Sequence, residues 1–344
     1  MFDVRPVFNV IGLLVSCLGL TMVFPMALDL DRGNGHAGVF LESALITCLT
    51  GSMMYFATRR EAARGLTLQQ TFLLTSGVWL ALPIFGALPF ALGATDSSFT
   101  DAFFEAISGL TTTGATVISG LDYLPDGLLL WRSILQWLGG IGIIVVAMVF
   151  LPELRVGGMQ IFKSEGFDTF GKILPRATEI AAQVAWLYVG LTGACAVLYI
   201  ATGMRSFDAV LHAMTTIATG GFSTYDSSFV KFGASTEYAA VVFMCLAALP
   251  FVRYVQLING APSSLFHDSQ VRVFFIVLLV TVGFLTLVLW QGYQFSGELG
   301  FRKALFNVVS IITGTGYASA DYSSWGPVAL VVFFYAGLVG GCAG

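Results

Sequence analysis

Long apolar runs divided by short polar stretches set the pattern of this chain: Phe8–Leu28, Val39–Ala57, Leu68–Leu92, Leu128–Leu151, Ala181–Thr202, Tyr238–Ile258, Val271–Gln291 and Val328 onward. They are continuous rather than alternating and run to about 20 residues, which predicts transmembrane α-helices. The first run has the position of a signal peptide. It has no small-residue cleavage site, and Pro25 and Met26 stand where one would fall, so it reads as a retained span. Three shorter segments, Thr100–Leu110, Ser206–Ile217 and Gly300–Ile312, are too brief to cross and read as re-entrant or interfacial helices.

Each short segment leads into a Thr- and Gly-rich stretch: Thr111-Thr112-Thr113-Gly114, Ala218-Thr219-Gly220-Gly221 and Thr313-Gly314-Thr315-Gly316. A polar residue precedes each closing glycine by nine positions, namely Glu105, His212 and Asn307. The matched registers define a repeated unit of span, short helix, loop and span. Two N-terminal spans (1–67) are followed by units over 68–180, 181–270 and 271–344. Non-helical backbone at membrane depth is tolerated only where it lines a cavity or is buried in protein, which a pore provides. Glycine permits the dihedrals that turn successive carbonyls towards one axis, and carbonyls can replace the hydration shell of a cation. The negative C-terminal ends of the short helices favour the same charge. The reading from the residues is an all-α polytopic membrane protein with a cation filter. Glu105, His212 and Asn307 are expected to support that filter from behind.

Only 10% of the 344 residues are charged and 56% are hydrophobic, against roughly 25% charged in soluble domains. No basic patch suggests nucleic acid, so membrane lipid is the expected surrounding. Arg59, Arg60 and Arg64 after the second run, and Arg155, Lys163, Lys172 and Arg176 within Pro152–Ile180, place those loops and the N-terminus in the cytoplasm by the positive-inside rule. Asp96, Asp101, Asp122, Asp126, Asp208, Asp226 and Glu237 fall on the opposite side, where they would cap helices or form an acidic vestibule; Asp101 and Asp208 are the expected caps. Trp131 and Arg132, at the start of a span, read as interfacial anchors. The five cysteines have no CxxC pairing and read as packed in apolar surroundings. The last run meets Gly340-Gly341-Cys342-Ala343-Gly344, a break in mid-membrane that leads us to expect a fourth unit outside this chain.

Two other classes find less support in the residues. A secondary transporter with discontinuous helices would place a carboxylate near the midplane, and Glu105 is the candidate. An enzyme lacks support, for there is no GxSxG, HExxH, P-loop or paired carboxylate. Gly140-Ile141-Gly142 lies in an apolar run and reads as a helix-packing site.

The segments FFEAISGLTTTGAT (Phe103–Thr116), HAMTTIATGGFST (His212–Thr224) and ALFNVVSIITGTGYAS (Ala304–Ser319), with WLGGIGIIV (Trp137–Val145) and GLVGGCAG (Gly337–Gly344), resemble the Trk/Ktr/HKT superfamily of cation transporters. The bacterial Trk-type membrane subunit (TrkH/TrkG-like), with its two additional N-terminal spans, is the nearest form. The resemblance implies four units around a pseudo-fourfold pore and potassium as the transported ion, with no other cofactor. It further implies a homodimer, a cytosolic nucleotide-binding (TrkA-like) regulatory partner and an inner-membrane location. By the same resemblance, Thr111–Gly114, Ala218–Gly221 and Thr313–Gly316 bind potassium, and Gly340, Gly341, Cys342, Ala343 and Gly344 begin an intramembrane gating loop.

Overall fold

A computed structural model describes residues 3–59, 66–150, 177–260, 265, 267–292, 295 and 297–340. Among them the regular structure is helical: α1 Arg5–Thr21, α2 Val23–Arg32, α3 Ala37–Thr58, α4 Leu68–Gly86, α5 Leu88–Ala91, α6 Phe99–Leu110, α7 Asp126–Phe150, α8 Ala177–Ala201, α9 Ser206–Ile217, α10 Ala234–Ala248, α11 Phe251–Ile258, α12 Ser269–Gln291, α13 Gly297–Ile312 and α14 Pro327–Val339. Among the described residues five spans are long and apolar enough to cross a membrane, or six if the bent pair α10–α11 counts as one. The expected all-α membrane architecture is therefore present. The basic loop around Arg155–Arg176, Arg60, Arg64 and the glycine-rich 341–344 lie outside the described residues.

The described residues divide into two compact units. One takes in 3–111 and 115–135; the other takes in 112–114, 136–149 and 177–340.

In the first unit the opening span is longer than its apolar run predicts, Arg5–Arg32, with a slight break at Met22. Its end takes in Asp29–Arg32, beyond the apolar run Phe8–Leu28. Asp29 is buried there because its carboxylate has work to do: it accepts from the Gly127 amide (2.8 Å) and from Asn34 Nδ2 (2.6 Å). A carboxylate at the free amides of the α7 N-terminus is favoured by both hydrogen bonding and the helix dipole. Glycine brings α1 and α3 together, since a Cβ at Gly12 would press on the Gly51 carbonyl and the Tyr55 amide. The α4 helix starts at a capping box in which Thr67 accepts from the Gln70 amide (3.3 Å) and Gln70 Oε1 accepts from the Thr67 amide (2.8 Å).

In the second unit the run Tyr238–Ile258 is not one straight span. It bends by 87° between α10 and α11. Pro250 explains the break, because the residue before a proline is driven out of the helical region, and Leu249 is extended (φ −80°, ψ 148°). The bend frees backbone acceptors, one of which is taken up when the Tyr254 hydroxyl donates to the Leu246 carbonyl (2.7 Å). Beyond the bend, Arg253 pairs with Asp268 (2.7 Å), the residue that caps α12 by accepting from the Gln270 amide (2.7 Å). Tyr254→Phe is expected to cost about 1 kcal/mol, the usual net value of such a bond. Thermal unfolding in detergent measures it, and an unchanged midpoint would show that the bend stands without this contact.

Candidate functional site

The short helices are placed where the sequence puts them, each with a physical start and stop. The α6 helix begins at Ser98, whose side chain accepts from the Asp101 amide (3.2 Å) while its hydroxyl donates to the Asp101 carboxylate (2.7 Å). Asp101 thus completes the cap rather than forming it. The helices end in the Thr/Gly stretches. The first residues of those stretches, Thr111, Ala218 and Thr313, still donate their amides to Ile107, Met214 and Val309 and close the last helical turn. The Thr111 and Thr313 hydroxyls also turn back, onto the Ile107 and Val309 carbonyls (2.8 Å each).

Beyond that turn the backbone alternates in the same register three times. Positive φ occurs at Thr112 (54°) and Gly114 (75°), at Thr219 (52°) and Gly221 (70°), and at Gly314 (75°) and Gly316 (82°). A β-branched threonine at positive φ is a strained conformation, costing on the order of 1–3 kcal/mol, and persists only where its surroundings impose it. Such strain concentrates at ligand clamps. Left-handed residues are the conformations that allow a chain to turn successive carbonyls towards one side, and glycine admits them most readily. Amides in two of the stretches point back to the helix ends: Gly220 and Gly221 donate to the Thr215 carbonyl (3.0 and 3.3 Å), and Gly316 donates to Ser310 (3.1 Å).

Within the second unit the three stretches adjoin one another in order. A Cβ at Gly114 would collide with the Gly220 carbonyl oxygen, and one at Gly221 with the Thr315 carbonyl oxygen. The carbonyls before the second and third closing glycines thus lie against the closing glycines of the first and second stretches. At Gly316 no described atom lies within 4 Å of such a Cβ, and its φ of 82° is the constraint the structure shows there.

The three support residues take equivalent positions. Glu105, fully buried, accepts from Thr116 Oγ1 (2.9 Å) and the Val117 amide (3.1 Å). His212, fully buried, has Nε2 3.0 Å from Ser223 Oγ and Nδ1 2.8 Å from the Asp208 carbonyl. Asn307 Oδ1 accepts from the Ser319 amide (3.2 Å), and its Nδ2 donates to Ser319 Oγ (3.1 Å). Each side chain ties its short helix to the chain leaving the Thr/Gly stretch. The Ser108 and Ser310 hydroxyls add a second tie, donating to the Ala115 and Tyr317 carbonyls (2.6 and 2.7 Å). In the second unit Tyr317, just past the third stretch, is fastened to the helix that leads into the second: its hydroxyl lies 2.5 Å from Thr215 Oγ1 and donates to the His212 carbonyl (3.1 Å).

Several sequence expectations are corrected. Arg132 and Trp131 are not interfacial anchors; both are buried. Arg132 Nε pairs with Glu105 Oε1 (2.8 Å) and Nη2 donates to Thr116 (3.2 Å), while Trp131 Nε1 donates to the Gly86 carbonyl (2.9 Å). Asp208 and Glu237 are not vestibule acids. Asp208, buried in the first turn of α9, accepts from Arg205 (3.0 Å), Thr224 (2.9 Å) and Tyr225 (2.9 Å), whereas the N-cap position belongs to Arg205. Glu237 is buried between Lys303 (2.7 Å) and Arg302 (2.9 Å). Cys17 is exposed, while Cys195 is buried. Gly140 does serve packing, since a Cβ there would press on Ala218 and Tyr188, whereas Gly142 meets nothing within 4 Å. Among the described residues no group of His, Cys, Asp and Glu could hold a metal ion. Of the expected gating-loop residues, Gly340 is described, just past the end of α14 with φ 54°; Gly341, Cys342, Ala343 and Gly344 lie outside the described residues.

Residues 36–344 match the family model described as TrkH, cation transport protein. The chain belongs to this family. The Trk system potassium uptake protein TrkI of Halomonas elongata is 40% identical over 342 residues, covering 98% of this chain and 69% of the relative. The Trk system potassium uptake protein TrkH of Escherichia coli K12 is 37% identical, covering 99% and 71%. The crystal structure of the potassium transporter TrkH from Vibrio parahaemolyticus superposes with a TM-score of 0.88 at 33% identity, over 99% of this chain and 71% of that one. The protein is a multi-pass membrane protein of a family of cation transporters, not of enzymes.

Proposed function

We propose that the protein is the membrane subunit of a Trk system and takes up potassium through a filter lined by the backbone of Thr112–Gly114, Ala218–Gly221 and Thr313–Gly316. One observation carries the filter: positive φ recurs at the same two positions of three adjoining stretches, two of them at threonine. Carbonyls so arranged offer an entering cation oxygen ligands in place of water. The ends of α6, α9 and α13 that lead into the stretches are negative helix termini, which favour a cation. The relatives' names supply the ion. The membrane potential supplies an inward drive of about 2.3 kcal/mol per charge per 100 mV. The carboxylate-based alternative loses its candidate, because Glu105 is committed to Arg132, Thr116 and Val117.

In this reading the protein sits in the bacterial inner membrane with its N-terminus in the cytoplasm, on the strength of the arginines after α3. It pairs with a second copy and with a cytosolic nucleotide-binding subunit, as its resemblance to Trk-type subunits implies. Gly340 begins the gating loop.

The test is rubidium-86 uptake by proteoliposomes of the full-length transporter held at an inside-negative potential. Potassium and rubidium should compete for uptake and sodium should do so far less. Equal competition by sodium would overturn the potassium reading. Uptake that persists unaltered in variants of the three closing glycines would overturn the filter.

A further inference from the structure

The second stretch has a side chain from a preceding span fastened to its backbone. Gln136 of α7 is fully buried. Its Nε2 donates to the Gly220 carbonyl (2.7 Å), and its Oε1 accepts from the Phe222 amide (3.0 Å). One amide group therefore grips the peptides on both sides of Gly221, the left-handed residue that turns the stretch. The two bonds also fix the amide's orientation, since only the nitrogen can donate to a carbonyl and only the oxygen can accept from an N–H. The fit is close on the main-chain side as well: a Cβ at Gly220 would collide with the Gln136 amide. Two further features hold α7 against this stretch. Gly140 lets the helix approach Ala218, and Tyr188 donates to the Trp137 carbonyl (3.1 Å).

Counted from the starts of their helices, the residues matching Gln136 are Met244 in α10 and Gly337 in α14. Neither can make this pair of bonds. Among the described residues the clamp is found at the second stretch, and it acts on the Gly220 carbonyl, which lies against Gly114 of the first.

We propose that Gln136 is a specificity-determining residue, which holds the 220–221 peptide in a single orientation and draws on its carbonyl so that the second stretch contributes a fixed and weakened oxygen to the ion path. A peptide next to a left-handed glycine has a low barrier to turning over, and turning would replace a carbonyl by an N–H facing the cation. The clamp removes that freedom. It also occupies one lone pair of the Gly220 oxygen, leaving the other for the ion. Discrimination between cations of different size depends on the field and rigidity of the ligating carbonyls, so the loss of the clamp should register in selectivity before it registers in transport rate. This inference rests on the filter reading above.

The test compares Gln136→Met, which keeps the volume and loses both bonds, with Gln136→Glu, which keeps the acceptor for Phe222 and sets an oxygen against the Gly220 carbonyl. Each full-length variant is assayed for the ratio of sodium to potassium needed to halve rubidium-86 uptake. We expect that ratio to fall about tenfold in both, equivalent to ~1.4 kcal/mol and the worth of a buried hydrogen bond. Maximal uptake should stay within a few-fold of wild type. If Gln136→Met does not fold, as judged by size-exclusion profile, the ratio for Gln136→Glu decides. A ratio unchanged in the folded variants overturns the proposal. Gly221→Ala in the same assay separates the two levels: altered uptake there with unaltered Gln136 variants removes only the clamp, whereas wild-type uptake in Gly221→Ala removes the filter itself.

Discussion

Gly221→Ala is expected to abolish selective rubidium-86 uptake, with Gly114→Ala close behind. Two effects combine at each position. The φ values of 70° and 75° are strained for any residue with a side chain. The added methyl would in addition strike a carbonyl oxygen of the next stretch, that of Thr315 or of Gly220. Strain alone costs about 1–2 kcal/mol, which a membrane protein can absorb. The collision cannot be relieved by a rotamer change, because both partners are backbone. The stretches must therefore move apart or a peptide must turn over, and either change disperses the carbonyls. Loss of uptake by a protein that still elutes as a single species is the expected result. Normal uptake would mean that the stretches are turns of no consequence for the ion.

The second large effect lies at Glu105 and Arg132. Both are buried, with 1% or less of either side chain exposed. Arg132→Leu would strand the carboxylate, and breaking such a pair from one side typically costs 3–5 kcal/mol. We expect a fall in thermal stability of that order and loss of uptake, since the carboxylate also accepts from the Val117 amide just beyond the first stretch. Glu105→Gln should be milder: it leaves the Arg132 guanidinium buried without its counter-charge, but the amide oxygen still offers an acceptor to Arg132 Nε, which Arg132→Leu does not preserve for the carboxylate. The double variant Glu105→Leu with Arg132→Leu should recover part of the stability and none of the order at Thr116 and Val117. Thermal unfolding followed by size-exclusion chromatography distinguishes these cases. Equal midpoints for Arg132→Leu and wild type would show that the pair is not the buried structural element described here.

What could be read in the sequence was whatever recurs locally. The short helices, the glycines that follow them and the polar residue nine positions back are all encoded within one repeat, so their register was visible three times over. The partners of those residues were not. Arg132 lies 27 residues from Glu105, and Gln136 lies 84 residues from Gly220. An arginine at the start of a span fits the snorkelling pattern of an interfacial anchor, and only the fold shows that it points inward. Asp208 and Glu237 misled for the same reason. An acid near a helix start looks like a cap, and its burial depends on bases such as Lys303 that arrive from another helix. The bend at Leu249–Pro250 was legible in principle, because a proline restricts its predecessor. Hydropathy masks it, however, since both arms of the bend are apolar. Pro83, by contrast, sits inside α4 without dividing it, so proline alone does not announce a break.

The central claim is that backbone carbonyls of the three adjoining stretches hold the transported ion. Its most direct test is a structure of the full-length transporter in rubidium, with the ion located by anomalous scattering. The account predicts density ringed by the carbonyls of Thr112–Gly114, Ala218–Gly221 and Thr313–Gly316, and its weakening in Gly221→Ala. Rubidium bound at side-chain carboxylates instead, with none among those carbonyls, would contradict it.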